Sequence, residues 1–234
     1  MTRLRVATYN VHKCRGMDWR VNPARIVKVI REIDADIIAL QEVVAGQFRQ
    51  IAGDTSMFHA FGSARKWQGE DYGNAILSRF PIRAQHNYDL TIGQREARRC
   101  LRVDLEISDT SLLHVFAVHL GTSFFERRHQ ARKLLSSGIL DRPALSAPRL
   151  LLGDTNEWTR GLFTRTLSKH LESADIRQHL KRSRTYPGMM PLLHLDHIYY
   201  DSALQLTGMH LHRTSASVVA SDHLPLIGDF HLRL

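Results

Sequence analysis

The 234-residue chain has only two cysteines, Cys14 and Cys100. They are too few for a disulfide scaffold and lack metal-site spacing, so both are read as reduced thiols. No apolar run reaches signal-peptide or membrane-spanning length, and the expectation is a soluble, cytoplasmic protein. No internal repeat, low-complexity tract or linker interrupts the chain, so a single domain over residues 1–234 is expected. Acidic residues are the minority: 23 Asp and Glu stand against 32 Lys and Arg, a formal charge of +9 with histidine neutral. That surplus favours polyanions or anionic surfaces as partners without choosing between them.

What the chain does contain is a series of apolar strands that end in polar residues. Leu150, Leu151 and Leu152 read as a strand buried on both faces, stopped by Gly153 and followed by Asp154, Thr155 and Asn156. If the backbone stays extended through Thr155, Asp154 and Asn156 point the same way. Residues 4–10 alternate as a strand and end in Asn10; residues 37–40 form a short apolar strand that delivers Gln41 and Glu42. Between them Asn22 and Pro23 open a helix in which Ile26, Val29, Ile30 and Ile33 recur at helical spacing.

Further along, the pattern predicts a short helix at 47–52, a strand at 58–61, a polar loop through Glu70 and a strand at 72–78. Strands at 83–90, 101–107 and 112–120 are spaced as antiparallel neighbours, the last bringing His119 to its end. Helices are predicted at 124–140 and 162–171, a Pro- and Gly-containing loop at 183–191, and a strand at 195–200 carrying Asp196. Ser221, Asp222 and His223 precede a final strand at 224–234. Basic residues cluster at Arg95, Arg98, Arg99 and Arg102, at Arg127, Arg128, Arg132 and Lys133, and at Lys181, Arg182 and Arg184. The second reads as a solvated helix face; the first is the best candidate for phosphate contact.

The polar groups at strand ends are thus Asn10, Glu42, His119, Asp154, Asn156, Asp196, Asp222 and His223. Such an oxygen-rich set suits a hard cation such as Mg2+, with Mn2+ as a substitute, rather than zinc, for which no His-x-x-x-His pair with an adjoining Glu is present. In order, Tyr9-Asn10-Val11, Gln41-Glu42, Gly73-Asn74-Ala75-Ile76-Leu77-Ser78, Val118-His119, Gly153-Asp154-Thr155-Asn156, Asp196-His197-Ile198 and Ser221-Asp222-His223 resemble the endonuclease/exonuclease/phosphatase (DNase I-like) superfamily of metal-dependent phosphoesterases.

The resemblance implies an α/β fold: a four-layered α/β/β/α sandwich, two mixed β-sheets packed face to face with helices outside, and a site at one rim. It implies metal binding by Glu42, with Asn10 beside it and Asp222 near the ion. It implies that Asp154 and Asn156 position the attacking water and a phosphate oxygen, that His223 is an acid/base or transition-state group steadied by Asp196, and that His119 serves the leaving group. Asp154 and His223 are both eligible as the base. Tyr72, Asn74 and Arg98 are the expected substrate contacts. The activity implied is Mg2+-dependent phosphodiester hydrolysis, first of all in nucleic acid, with a phospholipid or small phosphoester as the alternative and a non-catalytic binding module as a remote one. Leu193 stands where abasic-site repair enzymes of this superfamily carry tryptophan, and His12 where they carry an acid, so that repair activity is not expected. No protein partner is expected.

Overall fold

The computed structural model describes residues 2–136, 138–140, 148–159, 161–173 and 184–233. One sheet runs in the order β11 (Leu204–Leu211), β12 (Leu226–Leu232), β1 (Thr2–Asn10), β2 (Ile37–Val44), β4 (Glu70–Ser78) and β3 (Phe58–Trp67). The other runs β5 (Ile82–Asp89), β6 (Arg99–Ser108), β7 (Ser111–His119), β8 (Arg149–Asp154), β10 (Asp196–Tyr200) and the short β9 (Glu172–Ser173). Each sheet has one parallel pair at its centre, β1 with β2 and β7 with β8, and antiparallel pairs elsewhere.

Side-chain alternation divides the molecule into layers. In β1, Leu4 and Val6 face the opposite sheet while Ala7 and Tyr9 face outward, and all four are buried. In β2, Ile37 and Ala39 split from Ile38 and Leu40 in the same way; in β8, Leu150 and Leu152 split from Leu151. A strand buried on both faces belongs to an inner layer, which is why these three read as uninterrupted apolar runs. Leu4, Val6, Ile37, Val103, Leu150 and Ile198 are among the residues of the core between the sheets.

A parallel pair requires a crossover, and a helix supplies each one. Helix α1 (Pro23–Ile33) joins β1 to β2. Its cap is the one the sequence predicts: the Ala24 N–H donates to Asn22 Oδ1 at 3.1 Å, and Asp34 closes the other end in the left-handed region. Ile26, Val29, Ile30 and Ile33 of α1 pack on the outer face of the first sheet with Phe48 and Ile51 of α2 (Ala45–Thr55). Helix α3 (Phe124–Ser136) joins β7 to β8 and, with α4 (Leu162–Leu167), covers the second sheet through Leu134 and Phe163, against Phe116, Leu151 and Tyr199. Helix α5 (Ser215–Ala220) adds to the first outer layer through Ala220. The result is two mixed sheets with helices outside both. No helix among the described residues is long and apolar enough to cross a membrane.

Several local expectations change. The segment through Glu70 is not a polar loop: β3 continues to Trp67 and turns at Gln68 and Gly69, both with positive φ, into β4. A two-residue turn of that hand suits a hairpin, and the polar run belongs to an edge strand. Strand β11 and helix α5 lie in a stretch that the sequence pattern leaves unassigned. Strand β8 stops at Asp154, and α4 stops at Leu167, short of the predicted end at 171. Lys181 and Arg182 of the third basic cluster, and part of the predicted 124–140 helix, fall outside the described residues.

Gly153 is required by contact as well as conformation. Its φ is +155°, and a Cβ there would stand 2.0 Å from the Val118 carbonyl oxygen on the parallel strand β7. Gly153→Ala is therefore expected to destabilise the protein by about 2–4 kcal/mol in urea unfolding. A loss below about 0.5 kcal/mol, the range of an ordinary surface substitution, would contradict this close approach.

Candidate active site

The topology explains why distant residues meet. Asn10 is the last residue of β1, Glu42 lies near the end of β2, and His119 and Asp154 end β7 and β8. Parallel strands finish on the same side, so these four groups emerge at one rim. Antiparallel neighbours begin where those strands finish. Asp196, first in β10, pairs in register with Asp154, and Ser221, Asp222 and His223 lead into β12, the antiparallel partner of β1.

The rim encloses a cavity of ≈ 450 Å³. Of the residues singled out in the sequence, Glu42, His119, Asp154, Asn156, Asp222 and His223 line it, as do Tyr72 and Arg98. Asn10 and Asp196 lie beneath the lining, almost fully buried. Asn74 does not reach it. Its Nδ2 donates to the carbonyls of Arg99 at 3.1 Å and Ala117 at 3.4 Å, tying the first sheet to the second, because its place on β4 points it between the sheets. Asn74 therefore acts in the fold, and the expected substrate contact is corrected.

Glu42 reaches the cavity through a bulge. The pairing of β2 with β4 shifts between Leu40 and Val43, and Glu42 adopts φ +58°. A bulge of this kind re-aims a side chain that regular pleating would send elsewhere. One Asn10 Nδ2 donates both to Glu42 Oε1 at 3.2 Å and to Asp154 Oδ2 at 3.1 Å, while Asn10 Oδ1 accepts from the His12 N–H at 3.0 Å. The amide thus turns its donor, not its oxygen, toward the two carboxylates. Asp154 Oδ1 accepts the Asn156 N–H at 2.8 Å, and Asn156 has φ +53° and donates to the Leu120 carbonyl at 2.8 Å. The chain turns rather than staying extended there, and the carboxylate and carboxamide still reach the same cavity.

The two histidines are driven apart. His223 Nδ1 and Asp196 Oδ2 are 2.9 Å apart, and His223 Nε2 is 3.7 Å from Asp154 Oδ2. Burial alone would lower the His223 pKa; the Asp196 carboxylate, through charge and hydrogen bond, with Asp154 behind it, raises it to about 10. His119 Nδ1 lies 3.0 Å from Arg98 Nη1, which can only donate, so this imidazole is neutral with its Nε2–H directed toward Asp154, 3.8 Å away. Burial and the Arg98 charge lower its pKa to about 4. Burial, seconded by Asp196, pushes the Asp154 carboxyl up against the opposing pull of His223 and His119. Groups set at opposite ends of the scale in one cavity are suited to separate proton-transfer roles.

Sequence reasoning passed over Lys13. Its Nζ is 2.5 Å from Glu42 Oε2 and lies 5.3 Å and 5.8 Å from the ring centroids of Trp67 and Tyr72. Three consecutive non-glycine residues with positive φ, His12, Lys13 and Cys14, turn the chain so that it can do this, and Gln47 Nε2 donates to the Lys13 carbonyl at 2.9 Å. Arg65 stacks 4.4 Å from the Tyr72 ring centroid, and Glu96 joins it to Arg98 with hydrogen bonds of 3.0 and 2.9 Å. The only available signal was adjacency of Lys13 to the strand-end Asn10. Arg65 and Glu96 carry none, since their roles arise in the β3–β4 hairpin and the segment before β6.

Burial would raise the Glu42 carboxyl, but the adjacent His119 imidazole, the Lys13 charge and hydrogen bonds from Lys13 and Asn10 hold it well below the usual carboxylate range. An ionised, cavity-facing carboxylate is a fitting ligand for a hard divalent cation. Asp154, Asp196 and His223 also offer donor atoms within 4.8 Å of one another, and this buried group could hold a metal.

Two measurements test these electrostatics. The stability that His223 draws from Asp196 is complete below the ordinary imidazole pKa of about 6.5 and is lost as pH rises through about 10. The stability difference between wild type and Asp196→Asn is thus expected to be largest below pH ~6.5 and to shrink toward pH ~10; a difference that grows over that window would refute the pairing. Lys13→Met removes a cation from Glu42 and is expected to tighten Mn2+ binding by roughly tenfold in calorimetric titration without substrate. Unchanged or weaker binding would show that Lys13 does not compete with an ion there.

Comparison with known proteins fits this geometry. Residues 7–223 match the model of the Endonuclease/Exonuclease/phosphatase family. The chain is 30% identical over 248 residues, covering 97% of itself and 96% of the relative, to the protein named Uncharacterized protein YbhP of Escherichia coli (strain K12). Its fold is similar to the crystal structure of an endonuclease/exonuclease/phosphatase from Beutenbergia cavernae DSM 12333, with a TM-score of 0.83, 23% identity, and coverage of 98% of this chain and 72% of that one. It is also similar to the mannosyl-6-phosphatase Bt3783 of Bacteroides thetaiotaomicron VPI-5482, with a TM-score of 0.76, 19% identity, and coverage of 98% and 100%. A family match over nearly the whole chain, a relative matched along its length and a shared two-sheet sandwich lead to one assignment: the chain belongs to the endonuclease/exonuclease/phosphatase family.

Proposed function

We propose that the protein is a Mg2+-dependent phosphodiesterase. The family is one of hydrolytic phosphoesterases, and the observation that carries the finer reading is the grouping of Glu42, Asp154 and the Asp196-supported His223 around one cavity. Glu42 would hold the ion, with Asp222 near it; Asn10, whose oxygen is turned to His12, positions Glu42 and Asp154 instead of binding the ion. Mg2+, or Mn2+ in its place, supplies charge shielding for the phosphoryl oxygens when bound.

The chain's own groups divide the remaining work. A water oxygen bonds to phosphorus as the bond from phosphorus to the leaving alcohol breaks. Asp154, whose carboxyl is pushed up by burial, takes the water's proton, and Asn156 beside it orients that water. His223, protonated up to a pH of about 10, stabilises the growing negative charge and gives its proton to the departing alkoxide. The proton on Asp154 then returns to His223 Nε2 across the 3.7 Å between them. His119 has no readily released proton, being a neutral imidazole gripped by Arg98, so it positions Asp154 and leaves the leaving-group role to His223.

The +9 charge favours a polyanion or an anionic surface and does not by itself choose between nucleic acid and lipid. Inside the cavity the cations are engaged, however: Lys13 with Glu42, and Arg65 and Arg98 with Glu96. Phosphodiester chemistry is therefore the core of the proposal.

With bis(p-nitrophenyl) phosphate, EDTA is expected to abolish turnover and Mg2+ or Mn2+ to restore it. Asp154→Asn is expected to lower kcat by about 10²–10⁴-fold while the protein remains folded by circular dichroism. His223→Gln is the better partner variant, since truncation to alanine would leave the fully buried Asp196 without its imidazole. Full activity of Asp154→Asn, or turnover indifferent to EDTA, would overturn the proposal.

A further inference from the structure

Ten large hydrophobic side chains are exposed among the described residues; Trp158 lines the cavity, and eight others lie on loops and helix ends that carry or adjoin residues lining it. The exception, Phe58, is level with the far end of β2. Apolar residues scattered singly over a surface need no explanation; their collection at one end of a sandwich does.

Each group is tied to the site by chain or hydrogen bond. Trp19 and Val21, the former 77% exposed, belong to the loop that follows His12 and Lys13. That loop's Met17 N–H donates to the carbonyl of Val219, itself exposed and three residues before Asp222. Phe124 and Phe125 open α3 just after the cavity residue Thr122, and Arg127 donates to the Thr122 carbonyl while lying 5.8 Å from the ring of exposed Trp158. Met189, Met190 and Leu192 sit on the segment whose Gly188 N–H donates to the Asp222 carbonyl and whose Tyr186 ring lies 4.9 Å from that of His223.

Exposed arginines alternate with these side chains. Arg20 follows Trp19, Arg128 lies one turn beyond Phe124, and Arg213 donates to the Met189 carbonyl. An interface of this composition suits one partner well. Tryptophan, phenylalanine, methionine and leucine enter the boundary between headgroups and acyl chains, while arginines hold headgroup phosphates. A single-stranded nucleic acid fits less well. Stacking uses rings, and Val21, Val219, Met189, Met190 and Leu192 have none.

We propose that this apolar, arginine-bearing rim seats on an anionic lipid bilayer and that the substrate is the phosphodiester of a phospholipid headgroup. The substrate half rests on the phosphodiesterase reading above; the docking half does not. A membrane-seated rim brings the diester to the cavity mouth without the enzyme having to extract a whole lipid.

The test is cosedimentation with phosphatidylglycerol vesicles and with phosphatidylcholine vesicles, for wild type and for a triple variant, Trp19→Ser, Phe125→Ser and Met190→Ser. These exposed positions lie outside the proposed catalytic set, so hydrolysis of soluble bis(p-nitrophenyl) phosphate is expected to be equal in both proteins. Wild type is expected to sediment with the anionic vesicles, the triple variant to bind at least tenfold more weakly, and headgroup release to fall with binding. No sedimentation of wild type, or equal sedimentation of the variant, overturns the docking surface. Binding of a single-stranded oligonucleotide that the variant loses, with no vesicle binding, assigns the rim to nucleic acid and overturns it likewise. Vesicle binding and soluble-diester cleavage without headgroup release overturns the lipid substrate alone. Variant-sensitive vesicle binding with no cleavage of the soluble diester by wild type overturns the phosphodiesterase reading and leaves the docking surface standing.

Discussion

A single carboxamide governs the rim. Glu42 comes from one sheet and Asp154 from the other, and two carboxylates brought together away from bulk water repel. The Asn10 Nδ2 lies between them and donates to both, a neutral group that satisfies two acceptors without adding charge. The same residue fixes a third element, because its main-chain carbonyl accepts the Ser221 hydroxyl at 2.8 Å, next to Asp222 and His223. The relative placement of the two sheets at this end thus depends on a side chain that never reaches the cavity surface.

The rim also concentrates backbone strain. Among the described residues nine non-glycine residues have positive φ, and five of them, His12, Lys13, Cys14, Glu42 and Asn156, belong to the site or its support. Each such residue costs on the order of 1–3 kcal/mol and persists only where surrounding contacts over-determine it. Here those contacts are identifiable. The Cys14 N–H donates to the Val11 carbonyl at 2.8 Å, and Asn156 is held through Asp154 and Leu120. A cavity built this way is prearranged, as the phosphodiester hydrolysis proposed for it requires.

Much of this is legible in the sequence, and the reasons are physical. Asn22 and Pro23 announce α1 because a cap and an N-terminal proline act locally. Three leucines announce β8 because a strand between two apolar layers tolerates nothing polar. The strand-end residues were visible because the topology presents them all at one edge. Strand β11 was not, since its register shifts between Leu206 and Gly208 and breaks the alternation that would betray it. Asn74 was misplaced because a polar residue inside a strand gives no sign of which sheet face it occupies. Lys13 was overlooked because no pattern of side chains encodes three successive left-handed residues without a glycine.

The bulge that aims Glu42 makes the site sensitive to chain length and not only to residue identity. A deletion of one residue between Leu40 and Val43 would restore regular pairing with β4 and shift the acidic side chain to another direction. The apolar core on both faces of β2 would keep its composition. Along a lineage, an insertion or deletion of one codon at this point could separate a reactive scaffold from an inert one with every cavity residue still present, so an inventory of matching residues is a weaker guide to activity here than the count of positions between them.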